Sequence, residues 1–259
     1  MTVPREAPPA IFADWVAALE ARHLADLRVP ELTRALRALS SAYVERRQAG
    51  GARQALDSAG KRAAFALFYA PLHFLVTYLV VRALDADAPP PRAIVDVGCG
   101  TGAAGAAWAT AAGGTPSIAG LDRHPWAVAE ASWTYRQLGL RGRARPGDVL
   151  RLPPLTAGTA VVAAYVLNEL SEPMRERLET RLVEAASRGV RLLVVEPIAR
   201  HVAPWWSETA ARVEAAGGRA DQWRFAVDLP APLRLLDKAA GLDHRELTAR
   251  SLYCSGRAG

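Results

Sequence analysis

The chain has 259 residues, a formal net charge of +6, and 51% hydrophobic against 22% charged residues. That balance supports a sizeable core and excludes general disorder, and the length suits one α/β domain with an added segment. Two cysteines, Cys99 and Cys254, are too few for a disulfide framework or a cysteine-held metal cluster, so a reducing, cytoplasmic setting is expected.

Among the 32 basic residues only Lys61 and Lys238 are lysines; the rest are arginines. A basic balance points to nucleic acid or another anionic partner. An Ala- and Arg-rich coding composition accounts for it equally well, so the charge alone decides nothing.

Residues 1–9 show no basic region followed by an apolar run, and no signal peptide is expected. Residues 10–57 read as helices: Ile11, Trp15, Ala18 and Leu19, then Leu32, Leu36, Leu39 and Tyr43, fall at spacings of three and four. Gly50-Gly51 interrupts the pattern. Residues 63–81 then run for 19 positions without a charge, about the length of a membrane span. Tyr69, Pro71, His73, Thr77 and Tyr78 lie inside that run, and a strand pattern follows it directly. A buried helix packed on a sheet is the better reading, with no membrane contact. Pro89-Pro90-Pro91 ends it as a stiff linker.

From there strands and helices alternate. Strands are predicted over 93–97, 117–121, 143–150, 159–167, 190–196 and 246–254. Helices are predicted over 103–112, 124–138, 172–187, 204–216 and 232–240, with Pro173 well placed in a first turn. Repeated βα units imply an α/β fold with a doubly wound parallel sheet. The division expected is 1–88 as a helical lid or packing segment and 89–259 as the α/β domain.

The strongest local signal is Asp96-Val97-Gly98-Cys99-Gly100-Thr101-Gly102, between the first strand and its helix. Glycines there let the backbone approach a ligand and adopt positive φ. A lone Gly-x-Gly-x-x-Gly also occurs in nicotinamide enzymes. Here, however, an acid stands two places before the first glycine, and further aspartates, Asp122 and Asp148, stand at the next two strand ends. Each acid alone reads as an ordinary turn or cap aspartate. Together they line the edge of the sheet where ligands bind.

This pattern resembles the class I S-adenosylmethionine-dependent methyltransferases. The resemblance implies a Rossmann-like, mostly parallel, seven-stranded sheet with S-adenosyl-L-methionine as cofactor. It implies that Gly98, Cys99, Gly100 and Gly102 form the cofactor turn and that Asp96 faces the amino-acid end of the cofactor. Asp122, with Arg123 beside it, would take the ribose hydroxyls, since both carboxylate oxygens are acceptors. Asp148 and Val149 would meet the adenine, and Tyr165 would pack on the cofactor.

After the fourth strand comes Tyr165-Val166-Leu167-Asn168-Glu169-Leu170, with no Asn-Pro-Pro-Tyr or Asp-Pro-Pro-Tyr for a planar amino group. There is no Pro-Cys nucleophile for 5-methylcytosine chemistry either. This string, with Pro71-Leu72-His73, Val195-Glu196-Pro197, Trp223-Arg224-Phe225 and Leu229-Pro230, is similar to the Rsm22-like methyltransferases of the ribosomal small subunit. The similarity runs from about residue 65 to the C-terminus. That family often carries cysteines, expected to hold an iron–sulfur cluster, where residues 201–223 here have none; no metal is expected.

Methyl transfer from a sulfonium is an in-line displacement, so the protein aligns the acceptor and, where needed, removes a proton. Glu169, His201 and Tyr165 are the candidate catalytic residues, with Glu196 a further candidate base. Each has a plainer reading: a helix-start carboxylate for Glu169, a solvated loop histidine beside Trp205 and Trp206 for His201. Tyr69 and His73 reach the site or simply pack in the core. Arg136, Arg141, Arg143, Arg145 and Arg151 gather around the third strand with Asp148 as the single acid of 134–151, and suit an RNA phosphate chain. The expected function is therefore methyl transfer to a ribosomal RNA acceptor. The alternatives are a small-molecule or peptide methyltransferase and a non-catalytic cofactor-binding assembly factor. Nothing in the sequence bears on the oligomeric state.

Overall fold

The computed structural model describes residues 2–3, 7–25, 29–46, 56–199 and 203–256. The chain opens with a two-residue strand β1 (Thr2–Val3) and helices α1 (Ile11–His23) and α2 (Val29–Arg46). The charge-free run forms α3 (Ala59–Ala64), a π-helical turn (Phe65–Tyr69) and α4 (Ala70–Ala83), continuous with one another. Ala59–Ala83 is long and apolar enough to cross a membrane, but 83% of its most apolar window is buried inside the protein. It is a core helix.

The alternating part follows as β2 (Ala93–Val97), α5 (Ala103–Ala111), β3 (Ser117–Asp122), α6 (Pro125–Gln137), β4 (Gly142–Pro146), β5 (Thr159–Ala164), α7 (Glu172–Ser187) and β6 (Arg191–Glu196). It ends in α8 (Trp206–Ala215), β7 (Arg219–Ala226), α9 (Ala231–Ala239) and β8 (Glu246–Cys254). The sheet order is β1-β7-β8-β6-β5-β2-β3-β4. The pairs from β4 to β6 are parallel, and β8 runs antiparallel to both β6 and β7. The seven-stranded, doubly wound sheet predicted above is present, with β1 added at its edge.

Strand alternation sorts the core onto two faces. Ile94, Val162, Leu193 and Val195 face a cluster shared with α1 to α5, including Phe12, Trp15, Phe74 and Trp108. Val95, Val161, Leu192 and Val194 face a second cluster under α7 and α8. The N-terminal helices therefore share one hydrophobic core with the sheet.

Chain order reverses between β2 and β5: β3 and β4 lie to one side of β2, β5 and β6 to the other. The crevice at such a switch point, outside the carboxyl ends of the strands, is where an open α/β sheet binds ligands.

The structure corrects two expected strand ends and adds one strand. β4 ends at Pro146 rather than at 150, because proline has no N–H for the ladder and Asp148 forms its own turn by accepting the Leu150 N–H at 2.9 Å. β5 ends at Ala164 rather than at 167, where Tyr165 turns to φ +59° and 167–169 form a 3₁₀ turn. β7 was not among the expected strands. Its burial alternates only at Trp223 and Phe225, and the charges of Arg219, Asp221 and Arg224 mask it.

Candidate active site

The glycine loop is tied down from below. Asp96 is 1% exposed, and its Oδ2 accepts the Gly105 N–H at 2.9 Å and the Tyr135 hydroxyl at 3.3 Å. Burial raises its carboxyl to about 7 despite these two donors. Its oxygen thus holds the first turn of α5 and the ring of α6, a scaffold role beneath the loop that the sequence reading did not include. Gly98, Gly100 and Gly102 all have positive φ. A Cβ on Gly98 would meet Val166 at 2.3 Å, so that glycine exists for the approach of the segment after β5.

Tyr135, missed in the sequence, is the pin of this floor. Its fully buried ring fills space left by three glycines from three elements. A Cβ on Gly102, Gly120 or Gly142 would come within 2.8, 2.9 or 2.7 Å of it. Glycines inside two adjacent strands were the available signal, since they mark a close approach.

Asp122 sits at the end of β3 and faces the loop. Its Oδ2 accepts the Gly100 N–H at 2.9 Å and its Oδ1 the His124 N–H at 2.8 Å. Each oxygen keeps a second lone pair for a further donor. Asp148 bridges back to the same corner: Arg123 Nη2 donates to its Oδ2 at 2.7 Å. The Leu150 N–H, with Arg123 behind it, holds the Asp148 carboxyl below its ordinary value. Val149 is buried beside it. Cys99 is buried and free, and desolvation pushes its thiol up, so it is a packing residue of the loop rather than a nucleophile.

The other wall is aromatic. Among the described residues, a Cβ on Gly100 would meet only the Phe65 ring within 4 Å, at 3.8 Å. Phe65 and Tyr69 lie on the π turn, a feature concentrated at functional sites. His73, on α4, stacks on Tyr165 with ring centres 3.9 Å apart and planes at 15°. Desolvation lowers the His73 imidazole to about 3, so it is neutral, and pushes the Tyr165 phenol up. Tyr165 is one of two non-glycine residues with positive φ among the described residues, a conformation held by its surroundings.

Behind Tyr165 the chain turns through Leu167, Asn168 and Glu169. Glu169 is exposed at the tip of this turn. Glu196, at the end of β6, is fully buried and accepts the N–H groups of Leu167 at 3.0 Å and Asn168 at 3.4 Å on Oε1. It lies behind the turn, which fits support rather than a base in contact with substrate. His201 lies outside the described residues. Among those residues no cluster of His, Cys, Asp and Glu could hold a metal.

A glycine cradle open on one side, carboxylate acceptors at the ends of β3 and β4, and a switch point above β2 and β5 suit a cofactor with a vicinal diol, an adenine and a cationic amino-acid arm. They define a class I S-adenosylmethionine-dependent methyltransferase. Residues 94–189 match the family model described as "Methyltransferase domain", so this part of the chain is a methyltransferase domain and S-adenosyl-L-methionine is its cofactor.

Among solved structures, mitomycin 7-O-methyltransferase is similar at 19% identity over 97% of this chain and 76% of its own, with a TM-score of 0.51. Magnesium protoporphyrin IX methyltransferase from Synechocystis PCC 6803, solved with bound cofactor, matches at 18% identity over 70% of this chain and 78% of its own (TM-score 0.47). A Pyrococcus horikoshii protein provisionally described as an RNA methyltransferase matches at 10% identity over 71% and 83% (TM-score 0.45). At these identities the likeness concerns the fold. No curated protein sequence matches the chain.

Proposed function

We propose that this enzyme transfers the methyl group of S-adenosyl-L-methionine to an RNA acceptor of the small ribosomal subunit, in a reducing, cytoplasmic setting. The observation that carries the reading is the edge strand β4. Arg143 and Arg145 are both exposed on it, two positions apart and so on one face, with exposed Arg136 and Arg151 at its flanks. Side chains two apart on a strand stand about 6.6 Å from each other, which suits successive phosphates of an extended chain. This edge adjoins Asp122 and Asp148, which in this reading take the ribose and adenine, with Gly98, Gly100 and Gly102 around the methionine arm. The likeness to the Rsm22-like proteins supports the same acceptor class, and both cysteines, buried and free, suit a reducing setting.

A second reading rests on the aromatic wall. Phe65, Tyr69, His73 and Tyr165 together offer an uncharged, ring-lined face, which also suits a planar small molecule.

Incubation with cofactor carrying a labelled methyl group, and RNA, protein and small-molecule fractions from cells lacking the gene, separates the two. Label in small-subunit RNA is the expected result. Label confined to the small-molecule fraction overturns the RNA reading.

A further inference from the structure

In the proposed reading the turn after β5 stands where the methyl acceptor is presented. Its own backbone bonds, from the Glu169 N–H to the Val166 carbonyl at 3.1 Å and from the Leu170 N–H to the Leu167 carbonyl at 3.3 Å, leave its first N–H groups to be met from elsewhere. Two of its three backbone donors, at Leu167 and Asn168, point backwards into the protein. They end on one oxygen of a carboxylate that is 0% exposed, Glu196. The other oxygen, Oε2, is buried without a hydrogen-bond partner among the described residues. A carboxylate in that position costs free energy unless a charge answers it or it takes a proton.

The groups around it are few. Arg250 stands directly across on β8, paired in register with Glu196, and is 3% exposed. Its guanidinium lies over the Trp206 ring at 4.3 Å. Glu169 acts on Glu196 from the front of the turn, and the Tyr165 hydroxyl lies within its field. Trp206 at the start of α8 thus stacks on Arg250, which donates from Nη2 to the Ala199 carbonyl at 3.5 Å and acts on Glu196 through its charge, while Glu196 itself holds the backbone of the acceptor turn. All of it lies behind the surface that a substrate would touch.

We propose that Glu196 is a positioning residue for methyl transfer: it holds the turn of Leu167 to Glu169 at the acceptor position through the N–H groups of Leu167 and Asn168, and Arg250 and Trp206 brace it. The carboxylate moves no proton to or from the acceptor. What the turn needs is an oxygen at the Oε1 position, and an amide side chain supplies one as well as a carboxyl group does. Proton removal, where the acceptor requires it, falls to a group on the exposed side of the turn.

Two measurements test this. The first needs no acceptor: amide hydrogen exchange in Glu196→Ala, Glu196→Gln and the parent enzyme. The Leu167 and Asn168 amides are expected to exchange at least about tenfold faster in E196A, to stay protected in E196Q, and the Gly100 amide to be unchanged in both. The second is turnover on whichever extract fraction takes the labelled methyl group. E196A is expected to lose about a hundredfold in kcat with its KM for cofactor unchanged, and E196Q to return within about threefold of the parent.

An E196Q enzyme as inactive as E196A, with its turn still protected, would make Glu196 a proton-transfer group and overturn the proposal. Unchanged exchange and unchanged kcat in E196A would overturn it as well. If E196A does not fold, Glu196→Asp takes its place, since it keeps the charge and loses the reach. The exchange arm is independent of RNA, so failure of the RNA reading leaves it intact.

Discussion

Two buried acids at the site dictate how the protein responds to pH. Burial raises Asp96 to about 7 and Glu196 to about 8, whereas in the unfolded chain both titrate near about 4. Through these two groups the folded state holds more protons than the unfolded state, so their contribution to stability falls as pH rises from about 4 to about 8, while buried His73, lowered to about 3, opposes them below about 6.5. The urea midpoint is expected to be lower at alkaline than at mildly acidic pH. Asp96→Asn should flatten part of that slope, and an unaltered slope in this variant would refute the assignment. Asp148 runs the other way. The Leu150 N–H and Arg123 depress its pKa, so its contribution is present above the unfolded value and lost in acid. Because its side chain is 38% exposed, solvent screening keeps that contribution small.

At the scale of elements, the helices before the glycine motif are fastened by a polar clamp as well as by the core. Glu130 on α6 is 1% exposed, and from α1 Arg22 Nε donates to it at 3.1 Å and His23 Nε2 lies 2.7 Å away. Arg22 also covers the ring of Trp133 at 4.9 Å. Removing one partner of a buried pair costs about 3–5 kcal/mol, less where a partner reaches solvent as Arg22 does. Glu130→Ala is expected to cost about 1–3 kcal/mol in urea unfolding and to speed amide exchange in α1 more than in α5. Equal changes in both helices would show that the clamp is not local. The π turn is the other decisive element. It brings Phe65 against the glycine loop and precedes the helix that stacks His73 on Tyr165, so the roof of the site is built from the segment that reads in sequence as a candidate membrane span.

For the whole molecule, the distribution of charge matters more than the net +6. The exposed arginines of the β4 edge lie on one side of the cofactor site, whereas Arg212 on α8 is held by Glu179 on α7 at 2.6 Å. If the edge follows a single strand of RNA, binding weakens steeply with salt. Arg143→Ala with Arg145→Ala should then reduce the slope of log affinity against log salt by about 1.4. Cofactor affinity should be unaffected, and a slope equal to that of the parent enzyme would remove these arginines from the RNA path.

Much of this was legible in the chain itself. Asp96 to Gly102 stands out because a tight backbone approach can be built only from glycines, and the βα alternation because strands buried on both faces must be apolar throughout. From those two features follow the sheet, the switch point and the cofactor. The sequence could not place partners far apart in the chain. Tyr135 pins Asp96 from 39 residues away, Glu196 caps a turn 29 residues before it, and His73 finds Tyr165 across the strands between. Such pairings depend on how elements stack, which no local spacing encodes. They decided the surroundings: Asp96 is buried beneath the glycine loop, and Glu196 is buried behind the turn after β5. Local chemistry therefore determined the class of reaction, and tertiary packing decided which carboxylates face solvent and which hold the backbone, because burial sets the protonation of each.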